Sequence, residues 1–368
     1  MKRGRVVLLS RRNGASPNGH DRVSREHAAR RLAELFGYEY AGEYAAGGAR
    51  DGATYFVPDD TLLAQDAARL RIHSERDLFG GVVPYAFVAT KAVTHGVVAA
   101  DAQKPAGWSQ RVAEAMRDVV LPGFTAFSRD DARRAARDLL RGGRVRLKRV
   151  VGLGGSGQFA AGNLDEFEAA LDAVSDEELA AHGVVVERNL EEVSTYSIGR
   201  LHVAARHIAY YGVQKAVRNH RGQEVYGGSD LVVARDGMSG LLRLDMPAPV
   251  RKALAQARCY DQVISRAFPD FFSSRRNYDV ACGRDADDGL HVGVLEQSWR
   301  FGGASAAEVA ALEAFERDPA LRVLRASTHE LYGDSGVPAD AIVSFRGVDA
   351  QAGAMVKYCT VETYGNPA

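Results

Sequence analysis

The sequence predicts an α+β protein of two or three packed lobes opened by a small α/β unit. Three observations predict it. Strand-like and helix-like stretches alternate along 368 residues, a cation-bearing strand runs into a glycine-rich loop, and two later strands, each with a carboxylate, read as a hairpin.

Residues 1–85 supply the opening unit: a strand from Arg5 to Ser10, a polar turn through Asn13-Gly14 and Pro17-Asn18-Gly19, and a helix. Val23, His27, Ala28, Leu32, Leu35 and Phe36 carry the helical period, and Gly37 ends it. In residues 86–183, Ser128 and Asp131 form a variant capping box, and Ala132, Ala135, Ala136, Leu139 and Leu140 make one narrow apolar face before Gly142-Gly143. The strand Arg144 to Val150 follows, with Val145 and Leu147 on one face and Arg144, Arg146 and Lys148 on the other. After the loop Gly152 to Gln158 comes a short strand and a helix that Asn163 and Glu166 can cap.

Residues 184–330 begin with Val184-Val185-Val186-Glu187, a buried-looking strand, and continue through alternating segments to a Gly-rich turn at Tyr226 to Asp230. A long helix, Val250 to Phe268, turns Leu254, Ala257, Val263, Ile264 and Ala267 inward. Asn277 to Cys282 and His291 to Gln297 read as strands of a hairpin joined by an Asp- and Gly-rich turn. Residues 331–368 read as a short extension adding edge structure.

Lysine plus arginine (47) equal aspartate plus glutamate (47), so no overall field draws the chain to nucleic acid or an anionic membrane. Short, charge-interrupted apolar stretches, and a start that runs straight into Val6-Val7-Leu8-Leu9, make a cytoplasmic protein the expectation. Cys259, Cys282 and Cys359 are too scattered for a disulfide framework or a zinc site, and the ten histidines show no metal-binding spacing.

Two features carry chemistry. A basic strand feeding a Gly-rich loop is a phosphate cradle in several folds, because glycines let backbone N–H groups approach oxygens while lysine supplies charge. Here Lys148 precedes the glycines and the loop joins two strands, so neither a Walker A loop nor a dinucleotide fingerprint fits, and a bare β-turn would also account for it. In the hairpin, Asp279 and Glu296 fall on neighbouring strands, where carboxylates repel unless a cation or proton separates them. Magnesium takes such oxygen ligands, completed by water and phosphate. A surface ion pair of Glu296 with Arg300 is the plain alternative.

The order of Lys148, the loop, Val184 to Glu187 and then Glu296-Gln297-Ser298-Trp299-Arg300 resembles the ATP-grasp superfamily over residues 86 to 305, including a proteobacterial branch without an assigned substrate. The resemblance implies two α+β lobes gripping ATP behind an N-terminal α/β domain. It places Lys148 with Gly154, Gly155, Ser156 and Gly157 on the phosphates, Glu187 and the backbone near Asn189 and Leu190 on adenine, and Asp279, Glu296 and Ser298 on Mg2+. Ser298 stands where the family has asparagine. The usual acidic ribose position is Ser194, leaving that contact to Glu191 or Glu192, and Lys91 is the candidate for an earlier ATP-contacting lysine. The implied reaction is Mg·ATP-dependent activation of a small-molecule or peptide carboxylate as an acyl phosphate, followed by attack of an amine or thiol. Lys215 would assist on the phosphates, and Arg275, Arg276 or Arg300 would clamp the carboxylate. A small-molecule kinase would keep every ATP residue, whereas a non-catalytic nucleotide-binding protein would need a broken metal site.

Overall fold

Besides a short sheet of Leu62–Leu63, Gly81–Val83 and Phe272–Ser273, three sheets organise the described residues. The computed structural model describes residues 4–11, 19–45, 52–151, 157–333 and 336–364. Most of the turn expected at residues 13–19, and Gly154, Gly155 and Ser156 of the expected loop, lie outside the described residues.

At the N-terminus, Gly4–Leu9 pairs in parallel with Glu39–Glu43 and Ala53–Pro58. Helix His20–Phe36 buries Ala28, Ala29, Leu32 and Ala33 as its period dictates, and Gly37 ends it at φ 66°, a conformation that suits glycine. A smaller antiparallel sheet follows, in the order Gly123–Ala126, Val184–Arg188, Val145–Arg149, Gln158–Ala161. One face carries Val145, Leu147, Val184 and Val186 against the helices Arg129–Leu139 and Leu164–Leu171. Ser128 Oγ accepts from the Asp131 amide at 3.2 Å and Asn163 Oδ1 from the Glu166 amide at 2.9 Å, so both expected caps form.

The third sheet has eight antiparallel strands in the order Leu290–Ser298, Arg275–Arg284, Glu191–Val203, Arg206–Arg218, Glu224–Ala234, Val323–Tyr332, Gly353–Thr363, Ile342–Asp349. Between its bulges, strand alternation sorts its side chains. Ile198, Ala209, Tyr278 and Val280 pack with helix Ala248–Ala267, while Leu201, Ile208, Tyr210 and Leu324 pack with helix Ser305–Arg317 and the N-terminal sheet. Among the described residues, no helix is long and apolar enough to cross a membrane.

Candidate functional site

The hairpin pairs Asn277 with Ser298 and Asp279 with Glu296 in register, so all four side chains leave the same face of two adjacent strands. On the next strand Ser197 lies opposite Asp279 and donates to its Oδ1 at 3.3 Å, and Gln214 Nε2 donates to Ser197 Oγ at 3.0 Å. Asn277 Nδ2 donates to the same Oδ1 at 2.9 Å. Burial and then the charge of Glu296 raise the pKa of Asp279 above the usual carboxylate range, against the hydrogen bonds from Gln214, Asn277 and Ser197. Burial also acts to raise Glu296, but the charge and hydrogen bond of Lys91, with the charges of Lys148 and Arg300, outweigh it and hold that carboxyl low.

Lys91 reaches Glu296 from outside the sheet. Its Nζ lies 2.8 Å from Glu296 Oε2, with the lysine 6% exposed and Glu296 37%. The 3-10 turn Lys91–Thr94 is capped by Thr90, and Gln297 Nε2 donates to the carbonyls of Val88 and Thr90 at 2.9 and 2.8 Å, fastening this turn to the strand that bears Glu296.

The smaller sheet contributes its polar face. Lys148 forms a buried ion pair with Glu187, and His95 Nε2 lies 3.3 Å from the other oxygen of that carboxylate. Burial would raise Glu187, but the Lys148 charge and the His95 contact bring its pKa down to about 2. Gly123 stands opposite Glu187, where a Cβ would lie 2.8 Å from the His95 ring, so the close approach of histidine requires glycine there. Beyond Glu187 the chain crosses between sheets. Asn189 donates its amide to Arg144 O at 2.9 Å and accepts Arg146 on Oδ1 at 2.7 and 3.0 Å, while Leu190 packs with Leu121 and Ala281. Glu192 is exposed at φ 50°, within the bulge that opens the next strand.

The structure therefore gathers Lys91, Lys148, Glu187, Asp279, Glu296 and Ser298, with Arg300 close enough for its charge to act on Glu296. Gly157, at φ 74°, closes the loop by accepting the Arg149 amide at 2.9 Å. Two expected residues face elsewhere. Arg276 alternates with Asp279 to the other face of its strand, where it pairs with Asp261 at 2.6 Å and lies over the Phe271 ring. Lys215 alternates with Gln214 in the same way and pairs with Asp230 at 2.8 Å. Neither side chain reaches the carboxylate face. Arg275 shares that face but is spent on structure: Nε donates to Glu308 at 2.7 Å and Nη1 to the carbonyls of Ser298 and Arg300 at 3.2 and 2.6 Å.

His95, Asn277 and Tyr210 escaped the sequence reading. The single Tyr210 hydroxyl proton lies within reach of both Asn277 Oδ1, at 2.9 Å, and Glu308, so a buried chain of polar contacts runs from helix Ser305–Arg317 to Asp279. Only Asn277 left a local signal, standing two residues before Asp279 on a strand.

A family model described as "Protein of unknown function (DUF3182)" matches residues 7–359. The chain belongs to this family. No curated protein matches it in sequence. Solved structures are similar in fold at low identity. N5-carboxyaminoimidazole synthetase from Staphylococcus aureus complexed with ADP is 11% identical, with a TM-score of 0.56 over 98% of this chain and 94% of that one. The biotin carboxylase domain of 2-oxoglutarate carboxylase from Hydrogenobacter thermophilus, in complex with MgADP, ADP and bicarbonate, is 13% identical at a TM-score of 0.55, covering 98% and 86%. Phosphoribosylamine–glycine ligase from Thermotoga maritima is 14% identical at 0.51, covering 98% and 92%. The DUF3182 chain has the ATP-grasp fold.

Proposed function

We propose that this chain is a Mg·ATP-dependent ligase that activates a substrate carboxylate as an acyl phosphate for attack by an amine or thiol. One observation carries the reading: Asp279 and Glu296 oppose each other in register at a cleft where Lys91, Lys148 and Arg300 also converge. The donor set fits magnesium, since two carboxylates and the Ser298 hydroxyl offer only oxygen, and a divalent cation would relieve the repulsion that raises Asp279. Among the described residues no group of three or more His, Cys, Asp or Glu could hold a metal, so water and nucleotide phosphates would complete the shell. The ADP and MgADP complexes of the similar folds support the nucleotide assignment.

In this reading residues 86–183 and 184–330 are the two gripping lobes. Residues 1–85 stand ahead of them, and the strands beyond 331 extend the second lobe's sheet. Lys148 and the loop Gly154 to Gly157 hold phosphates, and Glu187 aligns Lys148 through their ion pair. Adenine lies on the backbone at Asn189 and Leu190, and Glu191 or Glu192 takes the ribose. Arg300 receives the substrate carboxylate, for which its planar guanidinium is suited. Magnesium would neutralise charge that grows on the transferring phosphoryl group. The protein's own part is positioning: no side-chain nucleophile is needed, because the substrate carboxylate attacks and ADP leaves.

The test is interception of the acyl phosphate. With ATP, Mg2+, hydroxylamine and candidate acids, a hydroxamate is expected to accumulate at the pace of ADP release. ADP release with a stable phosphorylated product and no hydroxamate would make the protein a kinase on the same fold. Independently, Mg·ATP is expected to raise the melting temperature more than GTP or NAD, since ligand at a hundredfold excess over Kd adds about 2.7 kcal/mol.

A further inference from the structure

Glu296 is already occupied by a cation. The Lys91 ammonium sits 2.8 Å from its Oε2, and the placement is built rather than incidental: the lysine is buried, Thr90 caps its turn, and Gln297, next to Glu296, hydrogen-bonds the carbonyls of Val88 and Thr90 in the segment that leads into it. Tyr260 in turn donates to Gln297 Oε1 at 3.2 Å, which fixes which end of the amide faces the Lys91 turn. The turn that bears the ammonium is thus fastened to the strand whose carboxylate it neutralises. Asp279, directly across the ladder, takes its hydrogen bonds from Asn277 and Ser197 instead.

We propose that Lys91 is a resident counter-cation that holds the metal position of the nucleotide-free protein, so that a divalent cation enters only with nucleotide phosphates able to draw the ammonium away from Glu296. The proposal rests on the reading of Asp279 and Glu296 as metal ligands. Two cations cannot share one carboxylate oxygen without repulsion, so free metal must compete with a tethered ammonium of high local concentration. Phosphate oxygens remove that competition by giving Lys91 a second partner. Metal affinity is then low without nucleotide and high with it, and metal and nucleotide bind with positive, reciprocal coupling.

The test measures Mn2+ binding without nucleotide, by calorimetry and by loss of the free-ion EPR signal. Wild type is expected to bind weakly, Lys91→Met at least ten times more tightly, and Lys91→Arg as weakly as wild type. The double variant Lys91→Met/Glu296→Gln is expected to lose the gain. Melting curves with and without Mn2+ cover the chance that Lys91→Met is unstable alone: a chain that folds only when Mn2+ is supplied gives the same answer. A Lys91→Met chain that binds no more tightly than wild type, or that folds in neither condition, overturns the inference. Mg·ATP binding to Glu296→Gln is measured in parallel. If it equals wild type the metal reading itself falls, whereas failure of the Lys91 variants beside a clear Glu296 effect removes only the inference drawn here.

Discussion

Two ion pairs attach to the same hairpin and differ in what surrounds them. Arg275 and Glu308 are sealed, 1% and 0% exposed, and their remaining hydrogen-bonding capacity goes to Tyr210, Ser298 and Arg300. Lys91 and Glu296 lie at the cleft, with the carboxylate partly exposed and facing a second carboxylate. The first arrangement closes a structure; the second leaves charge for something else to complete. A buried pair whose lone pairs and protons are matched locally serves the fold, while a pair set beside an unrelieved like charge marks a binding position.

Breaking the sealed pair should have the largest effect on stability. Arg275→Met strands Glu308 in the core and is expected to cost about 3–5 kcal/mol in denaturant unfolding. Arg275→Met/Glu308→Leu should recover much of that, because the uncompensated charge is gone. No recovery would show that the two act separately.

The cleft pair should respond in the opposite sense. Glu296→Gln is expected to destabilise the chain less than Arg275→Met while lowering Mg·ATP-dependent turnover by about a hundredfold or more, comparable to about 3 kcal/mol of lost transition-state stabilisation. Turnover at the wild-type rate would reduce the hairpin carboxylates to surface charge. Lys148→Ala, by contrast, should weaken nucleotide binding first, since its attraction to phosphate exists before the transition state.

Glu187 extends the comparison to pH. Its folded pKa, about 2, lies below the ordinary value of 4.5, so its pairing with Lys148 and His95 contributes stability that is fully present above 4.5. That contribution is lost as pH falls from 4.5 towards 2. Glu187→Gln should flatten this acid limb of the stability profile by a few kcal/mol at most. An unchanged acid limb would mean that the pairing persists in the unfolded ensemble or carries no weight.

What the sequence made legible follows from range. The caps at Ser128 and Asn163, the stop at Gly37 and the alternation in Val145 to Lys148 are local, and all appear where the residues placed them. The hairpin was legible because its turn chemistry and its two carboxylates lie on consecutive strands; it extends further at both ends, from Arg275 to Ser298. His95 and Tyr210 were not legible, since each acquires its partner across many residues of intervening chain. Helix Ser305–Arg317, which supplies Glu308, lies where the motif reading stopped. The face that Arg276 takes was legible in sequence: strand alternation puts Arg275, Asn277 and Asp279 on one face and Arg276 on the other.

Lys215 tests that rule with the smallest expected effect. On its strand Gln214 faces Ser197 and Asp279, so Lys215 faces away, and its partner Asp230 is 58% exposed. An exposed pair of this kind contributes at most about 1 kcal/mol, because water screens both charges and two long side chains lose freedom in making it. Lys215→Ala should therefore keep nucleotide affinity and turnover within about twofold of wild type and shift unfolding by less than about 1 kcal/mol. A loss of turnover comparable to that of Glu296→Gln would mean that the lysine swings around the bulge between Lys215 and Ala216 to reach the phosphates once nucleotide binds. Alternation at a bulged position would then be a poor guide to which face a side chain serves, and the boundary drawn here between cleft and structure would have to move outward by one strand.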